Sequence, residues 1–200
     1  MLKRLAGSLS LFSILSILLL TACGAGTPST KNEQWEITVL SSADVFGWNR
    51  IERFAGGTLN VLELEFHRLD SPEKTSVALN DLSLTGWENK DKPFLALTKD
   101  TSTKMFINGN DVSGIEFLYC EAQAFSNYGC SYRLGAEGGL PAPEVMSKID
   151  EILKDRNPEI ILEAAGDTLR VTLAFDPTGG KEDLILKFTD LPEIKFTIKD

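Results

Sequence analysis

Hydrophobic and polar residues alternate along most of the chain after residue 34. The longest alternating runs cover residues 35–39, 62–66, 169–175, 184–188 and 194–198. Successive side chains of a strand point to opposite faces, so this pattern predicts strands with one buried and one solvated face. Shorter runs at 76–84, 94–98, 104–108, 114–120 and 159–163 predict further strands. About nine strands joined by polar turns favour a mainly β fold, a sandwich or a barrel, over βαβ units.

One segment has helical spacing instead. Its apolar residues are Val145, Met146, Ile149, Ile152 and Leu153, between Pro143 and Pro158. A proline suits the first turn of a helix, and Asn157-Pro158 ends the run, so we expect a short amphipathic helix over about 144–155. Its apolar stripe predicts a cap over the β core, and a helix that binds a partner is the alternative.

The first 22 residues predict an export signal. Lys3 and Arg4 form a positive start, and residues 5–20 form an apolar stretch broken only by Gly and Ser. As a helix this apolar stretch spans roughly 24 Å, which is short of the ~30 Å hydrocarbon core of a membrane. A signal peptide is therefore favoured over a transmembrane helix.

The end of this signal resembles the lipobox of bacterial lipoproteins, in the residues Leu20-Thr21-Ala22-Cys23-Gly24. The resemblance implies that the Cys23 sulfur receives a diacylglyceryl group and that cleavage occurs before Cys23. The new amino group can then be acylated, for example with palmitate. An ordinary signal peptide whose cleavage site contains a cysteine is the alternative. The lipid would anchor the chain to a bacterial membrane, with the domain on the extracytoplasmic side.

The segment after the lipobox predicts a linker. Residues 23–34 carry no large apolar side chain, so they cannot offset the entropy lost on ordering and we expect a flexible tether. Residues 35–200 then form a single domain. Loss of Lys3 and Arg4 changes the net charge from −9 to −11, which argues against a nucleic-acid partner. An anionic lipid surface also repels such a domain, so membrane attachment is assigned to the lipid alone.

Several of the predicted strands resemble those of a known family. Trp35-Glu36-Ile37-Thr38-Val39 and Leu62-Glu63-Leu64-Glu65-Phe66 resemble the first strands of the telokin-like, immunoglobulin-like domains common in bacterial lipoproteins. Asp81-Leu82-Ser83-Leu84 resembles the mid-domain strand, and Phe175-Asp176-Pro177 with residues 184–188 resembles the closing hairpin. Residues 120–157 have no counterpart, and His67-Arg68 stands where members often carry Asn. The resemblance implies an immunoglobulin-like antiparallel β-sandwich, usually without known catalytic residues.

Residues suited to catalysis or metal binding are few. His67 is the single histidine and shares a predicted strand face with Glu63 and Glu65. These side chains lie along a line of roughly 13 Å, so one strand cannot direct them to one metal ion. We expect a solvated face whose charges pair across strands with Arg170, Lys187 or Lys195. No catalytic residue, metal ligand or cofactor is predicted, apart from the covalent lipid.

Residues 108–114 are loosely similar to a calcium-binding loop. The segment lacks the acidic first position, and Tyr119 stands at position twelve, where such loops need Glu. A turn between strands is therefore predicted.

Two cysteines remain once Cys23 is lipidated. Cys120 and Cys130 form an even pair in an oxidising compartment, which predicts a disulfide. In the chain-entropy model this bond contributes roughly 2.5–3 kcal/mol to stability. Free or metal-binding thiols are the alternative.

The residues around this pair include a candidate binding loop. Five of the 17 aromatic residues lie between Phe117 and Gly139, and Phe125 and Tyr128 lie inside the disulfide loop. A loop held by a disulfide loses little entropy on binding, and tyrosine offers a large contact area. The plainer interpretation is a long hairpin in which Phe117 and Tyr119 are core residues; this interpretation is favoured.

The sequence thus predicts a non-catalytic binding or structural module of the cell envelope. Its partner would be the membrane through the lipid, together with an unidentified protein or glycan. Two alternatives stay open: an enzyme acting on envelope polysaccharide through Asp or Glu, and an accessory subunit of an envelope assembly.

Overall fold

The structure is a computed structural model, and it describes residues 27–49, 51–52, 58–86, 91–123, 127–135, 143–155, 158–176, 181–188 and 191–198. It is mainly β, with antiparallel sheets in a sandwich-like arrangement and one α-helix. The mainly β sandwich predicted from alternation is therefore confirmed. The predicted signal peptide and Cys23 lie outside the described residues.

Sixteen strands are described, several of them only two or three residues long. They are β1 Ser29–Lys31, β2 Trp35–Val45, β3 Gly47–Trp48, β4 Ile51–Glu52, β5 Leu59–Arg68, β6 Lys74–Ala78, β7 Leu82–Thr85, β8 Asp91–Lys99, β9 Lys104–Ile107, β10 Asn110–Asp111, β11 Ile115–Gln123, β12 Asn127–Leu134, β13 Ile160–Ala165, β14 Thr168–Phe175, β15 Leu184–Phe188 and β16 Ile194–Phe196. The helix α1 is Pro143–Ile152.

Two sheets make up the body of the domain. The large sheet has the order β1-β2-β5-β14-β8-β11-β12, and β7, β15 and β16 extend it from the first residues of β8. The small sheet has the order β10-β9-β13-β6. Both sheets are antiparallel throughout.

The main core combines side chains from both sheets. On β5 of the large sheet, Leu62, Leu64 and Phe66 are fully buried, as the alternation requires. Ile160 and Leu162 of β13 in the small sheet belong to the same core. Each such side chain contributes about 1.5–3 kcal/mol on burial, and this packing is what holds the two sheets together.

The helix joins this core with Ile149 and Leu153. It ends at Ile152, slightly before the predicted boundary near residue 155. The N–H groups of Lys154 and Asp155 donate to carbonyls three residues earlier, which is the tighter bonding of a helix end. The predicted short helix, packed against the β core, is therefore confirmed.

A predicted strand at 76–84 is divided in the structure. The 3₁₀ turn Leu79–Asp81 separates β6 of the small sheet from β7 of the large sheet. Asn80 fixes this turn, because its Nδ2 donates to the Pro158 carbonyl at 3.0 Å and its Oδ1 accepts the Ile160 N–H at 2.9 Å. Leu79 stays fully buried in the turn, and the exposed pair Asn80 and Asp81 then shifts the apolar alternation by one residue, from 77 and 79 to 82 and 84.

Part of the predicted linker at 23–34 is also a strand. Ser29–Lys31 pairs with β2 as a short edge strand, and the Val39 N–H donates to the Pro28 carbonyl at 2.8 Å. Asn32 Oδ1 then accepts the N–H groups of Gln34 and Trp35, which turns the chain into β2. The prediction of a flexible linker was wrong for Ser29–Lys31. Backbone hydrogen bonds, rather than apolar burial, order these residues.

A strap formed by residues 46–49 and 51–52 follows β2 and carries β3 and β4. Trp48 of the strap packs against a second apolar cluster, formed by Leu59, Leu95, Ala96, Phe117 and Ala174. Phe117 and Ala174 point away from the main core, because their neighbours Leu118 and Leu173 belong to it. The strap therefore lies on the outer face of the large sheet.

Candidate functional site

The cysteine pair joins the two strands of an edge hairpin. Cys120 of β11 is directly opposite Cys130 of β12, with Cα atoms 4.1 Å apart and sulfur atoms at bonding distance. The predicted pairing is confirmed. Cys120 is buried and belongs to the main core, so the bond lies on the inner face of the large sheet.

The candidate loop can be placed only in part. Phe125 lies outside the described residues, and Tyr128 is described by its backbone alone, in β12 opposite Ala122. Strands β11 and β12 pair from Ile115 with Leu134 to Gln123 with Asn127, which is the long hairpin of the plainer interpretation. Binding through Phe125 and Tyr128 stays a prediction.

The opposite face of the same hairpin carries an aromatic surface. Phe117 and Tyr119 of β11 point outward, and Arg133 of β12 is opposite Phe117. The Arg133 guanidinium lies 5.4 Å from the centre of the Phe117 ring, a cation–π arrangement. Trp48 meets the same Phe117 ring edge-on, with ring centres 5.9 Å apart. Phe117 is itself buried, and we call the residues around it, Phe46, Trp48, Tyr119 and Arg133, the outer aromatic surface.

Small residues explain why the strap can lie across the sheet here. Ala96 of β8 and Ala174 of β14 are directly opposite each other and are fully buried beneath it. Two methyl side chains leave room for the Trp48 indole, where larger residues would lift it from the sheet. Asn49 Nδ2 donates to Thr98 Oγ1 at 3.0 Å and fastens the strap to β8.

The strap also exposes one aromatic side chain. Phe46 is 71% exposed, more than any other large hydrophobic residue that the structure describes. Exposure of one such residue is ordinary, but here it is two positions from Trp48. Hydrophobic alternation does not indicate this site, although Phe46-Gly47-Trp48-Asn49 places two aromatic residues in a segment without long alternation.

The carboxylates and the histidine of β5 pair with their neighbours. Arg170 of β14 contacts Glu65 Oε2 through Nε at 2.7 Å and through one terminal nitrogen at 2.6 Å. His67 lies 3.5 Å from Asp167 and 3.9 Å from Glu36, and the Ser41 hydroxyl donates to Glu63 at 3.1 Å. Glu65 raises the pKa of Arg170, first through the hydrogen bond and then through its charge.

The prediction of a solvated face with cross-strand charge pairs is confirmed for Arg170, which pairs with Glu65. Lys187, by contrast, pairs with Asp91 at 3.2 Å and not with β5. Over the described part of the chain, no group of three or more His, Cys, Asp or Glu residues could hold a metal ion. The same part contains no helix with the length and apolar character needed to cross a membrane.

The chain matches no protein-family model, no curated protein and no solved structure. The resemblance to telokin-like domains therefore stays a prediction, and function has to be inferred from the surfaces described above.

Proposed function

We propose that this chain is a lipid-anchored extracytoplasmic protein of the bacterial envelope and that its sandwich is a non-catalytic module that binds an envelope protein. The lipobox at Cys23 supports the anchor, and the resemblance to domains of bacterial lipoproteins supports the location. The outer aromatic surface is the proposed contact with the partner.

One observation carries the choice of surface. Phe46 is exposed two residues before Trp48, Trp48 packs against Phe117, and the Arg133 guanidinium lies over that same ring. Tryptophan, tyrosine and arginine are the residues most enriched among those that dominate the energy of protein interfaces. A rigid sheet beneath them lowers the entropy lost on binding, because Trp48 and Phe117 are already packed.

The partner is best sought in the native envelope with a photocrosslinker. Phe46 is replaced by p-benzoylphenylalanine, which keeps an aromatic ring at the exposed position. Leu69 and Met146 are the matched control positions, since they are the other exposed large hydrophobic residues of the described chain, at 43% and 38%. We expect a discrete crosslinked protein from position 46 and none from the two controls.

A second variant tests the surface rather than one residue. Arg133→Gln keeps a polar side chain but removes the guanidinium charge, so it should weaken the crosslink from position 46 severalfold. Equal products from all three positions, or no protein product from position 46, would contradict the proposal. Crosslinking to a glycan alone would also contradict it.

A further inference from the structure

A second surface of interest lies on the β15–β16 hairpin, beyond the strands that carry the outer aromatic surface. In its register Leu184 is opposite Phe196, and Ile185 is opposite Lys195. Leu184 and Phe196 belong to the main core, so Ile185 and Lys195 lie on the outer side of the hairpin. The residues two positions along, Asp183 and Thr197, continue that outer side.

Four outward residues and the buried Phe196 between two of them line a pocket of about 320 Å³. Its lining consists of Asp183, Ile185, Lys195, Phe196 and Thr197. The pocket therefore combines one carboxylate, one ammonium group, one hydroxyl and an apolar surface. Few polar groups at fixed places on an apolar surface are the usual composition of a small-molecule site.

The two charges are available to a ligand. Neither Asp183 nor Lys195 forms an ion pair with any residue within the described ranges, although the two line one pocket. Lys187, two residues after Ile185 on β15, is by contrast engaged by Asp91. Opposite charges that face one pocket without pairing suit a ligand that carries both charges itself.

The backbone holds the carboxylate at the edge of this pocket. Asp183 has a φ of +54°, the left-handed conformation that asparagine, aspartate and glycine tolerate best. The Ile198 N–H donates to the Lys181 carbonyl at 2.8 Å, which ties the segment after β16 to the segment before β15. Both ends of the hairpin that form the pocket are therefore fixed.

We propose that this pocket binds a small zwitterion of the α-amino acid class with an apolar side chain. Asp183 would accept hydrogen bonds from the ligand ammonium, Lys195 would donate to its carboxylate, and Ile185 would contact its apolar side chain. Ile185 is opposite Lys195 and Asp183 precedes Ile185 by two residues, so Asp183 and Lys195 are diagonal to each other on the outer side of the hairpin. One short ligand that carries both charges can therefore meet both side chains.

The test uses the full chain and leucine as the probe, observed through the backbone amide signals of Ile185, Lys195 and Thr197. L-leucine and D-leucine are titrated separately. Two compounds each lack one charge: 4-methylpentanoate lacks the ammonium group, and 3-methylbutylamine lacks the carboxylate. For a ligand of this size we expect saturation with a Kd on the order of 1 mM for at least one leucine enantiomer. The two single-charge compounds should bind at least tenfold more weakly.

Variants separate binding from folding. Asp183→Asn and Asp183→Gly both tolerate the positive φ, so they remove the charge without straining the turn. Lys195→Met removes the ammonium group and keeps a flexible apolar chain. Each should raise the Kd at least tenfold, while Lys154→Met on an exposed lysine elsewhere should leave it unchanged. The proposal would be overturned if neither leucine enantiomer saturated the protein. It would also be overturned if the single-charge compounds bound as tightly as leucine, or if the three variants bound leucine as tightly as the parent.

Discussion

Lys99 sits where alternation would place an apolar residue. It is opposite Val171, a core residue, so its side chain points to the inner face of β8, and only 5% of its surface is exposed. Its Nζ donates to the Asp100 carbonyl at a long 3.4 Å. Burial lowers the pKa of Lys99, and the charges of Glu116, Asp100 and Asp111 oppose that shift only in part.

Lys99→Met should stabilise the domain. The substitution replaces a buried ammonium group with an apolar side chain of similar length, and such replacements often stabilise a protein by about 1–2 kcal/mol. Chemical denaturation at pH 7 measures the change. Exposed Lys104→Met is the control and should change stability by less than about 0.5 kcal/mol. A marked loss of stability in Lys99→Met would show that the ammonium group makes a needed interaction.

The lowered pKa of Lys99 makes the free energy of unfolding depend on pH in the alkaline range. Because the folded-state pKa lies below 10.5, the unfolded chain binds more protons between the two pKa values. The free energy of unfolding contributed by Lys99 therefore rises as the pH increases through that window. Denaturation of the parent and of Lys99→Met is measured from neutral pH to about pH 10.5. The free energy of unfolding of the parent should rise relative to that of the variant as the pH increases. A constant difference would contradict this prediction.

Asp111 organises the turn that leads into β11. Its Oδ1 accepts the Ser113 hydroxyl at 2.6 Å and the Ser113 N–H at 2.9 Å, and Ser113 Oγ accepts the Met105 N–H at 3.1 Å. The structure thus has the turn, with β9 and β10 paired around Asn108 and Gly109, that the sequence predicted in place of a calcium loop. The Ser113 hydrogen bonds hold the pKa of Asp111 below its usual value.

Asp111→Ala should therefore cost about 1 kcal/mol at neutral pH, because two hydrogen bonds to a charged acceptor are lost at a mostly solvated site. A lowered folded-state pKa contributes stability that is present above the unfolded value near 3.8 and is lost as the pH falls through the folded value. Denaturation over a pH series from neutral into acid should show the parent and the variant converging as the pH falls below 3.8. A difference that persists in acid would exclude the carboxylate as its source.

At the scale of the elements, the strap carries two aromatic residues with different roles: one packs on the β11–β12 hairpin and the other is free to contact a partner. Trp48 is half-buried against Phe117, while Phe46 is exposed. Trp48→Ala should destabilise the domain by about 2 kcal/mol, less than the loss of a fully buried aromatic residue. Phe46→Ala should change stability by less than about 0.5 kcal/mol and still abolish partner binding. Thermal unfolding of both variants provides the comparison, and equal losses would mean that Phe46 also packs.

The disulfide acts on the same hairpin. Cys120→Ala with Cys130→Ala should lower the free energy of unfolding by roughly 2.5–3 kcal/mol, because the unfolded chain regains the entropy of an open loop. Reducing the parent protein should produce a similar loss. A double variant as stable as the parent would show that the pairing of β11 with β12 and β8 is sufficient to hold the hairpin.

At the level of the whole molecule, the proposed lipid anchor at Cys23 would decide where the protein is located. Cys23→Ser removes the sulfur that would carry the lipid, so the variant should remain unlabelled by a fatty-acid probe and uncleaved at residue 23. Metabolic labelling beside the parent protein measures both. The double cysteine variant at 120 and 130 is the matched control and should label normally. Equal labelling of Cys23→Ser and the parent would contradict the lipoprotein proposal.

Local patterning of the sequence determined most of the elements. The alternation over 62–66 and 169–175 predicted strands that the structure extends to Leu59–Arg68 and Thr168–Phe175. The helix at Pro143–Ile152 and the Cys120–Cys130 pair also followed from the chain alone. These features depend on periodicity and on residue type, which any stretch of sequence displays.

Only the tertiary structure decided how those elements combine. The alternation could not show that Asn80 moves the chain between sheets, that Ser29–Lys31 pairs with β2, or that the strap crosses to β11. Each depends on contacts between residues far apart in sequence, such as Asn80 with Ile160 and Trp48 with Phe117. Alternation with a period of two shows that a strand has two different faces. Which element packs on each face depends on packing across the whole molecule.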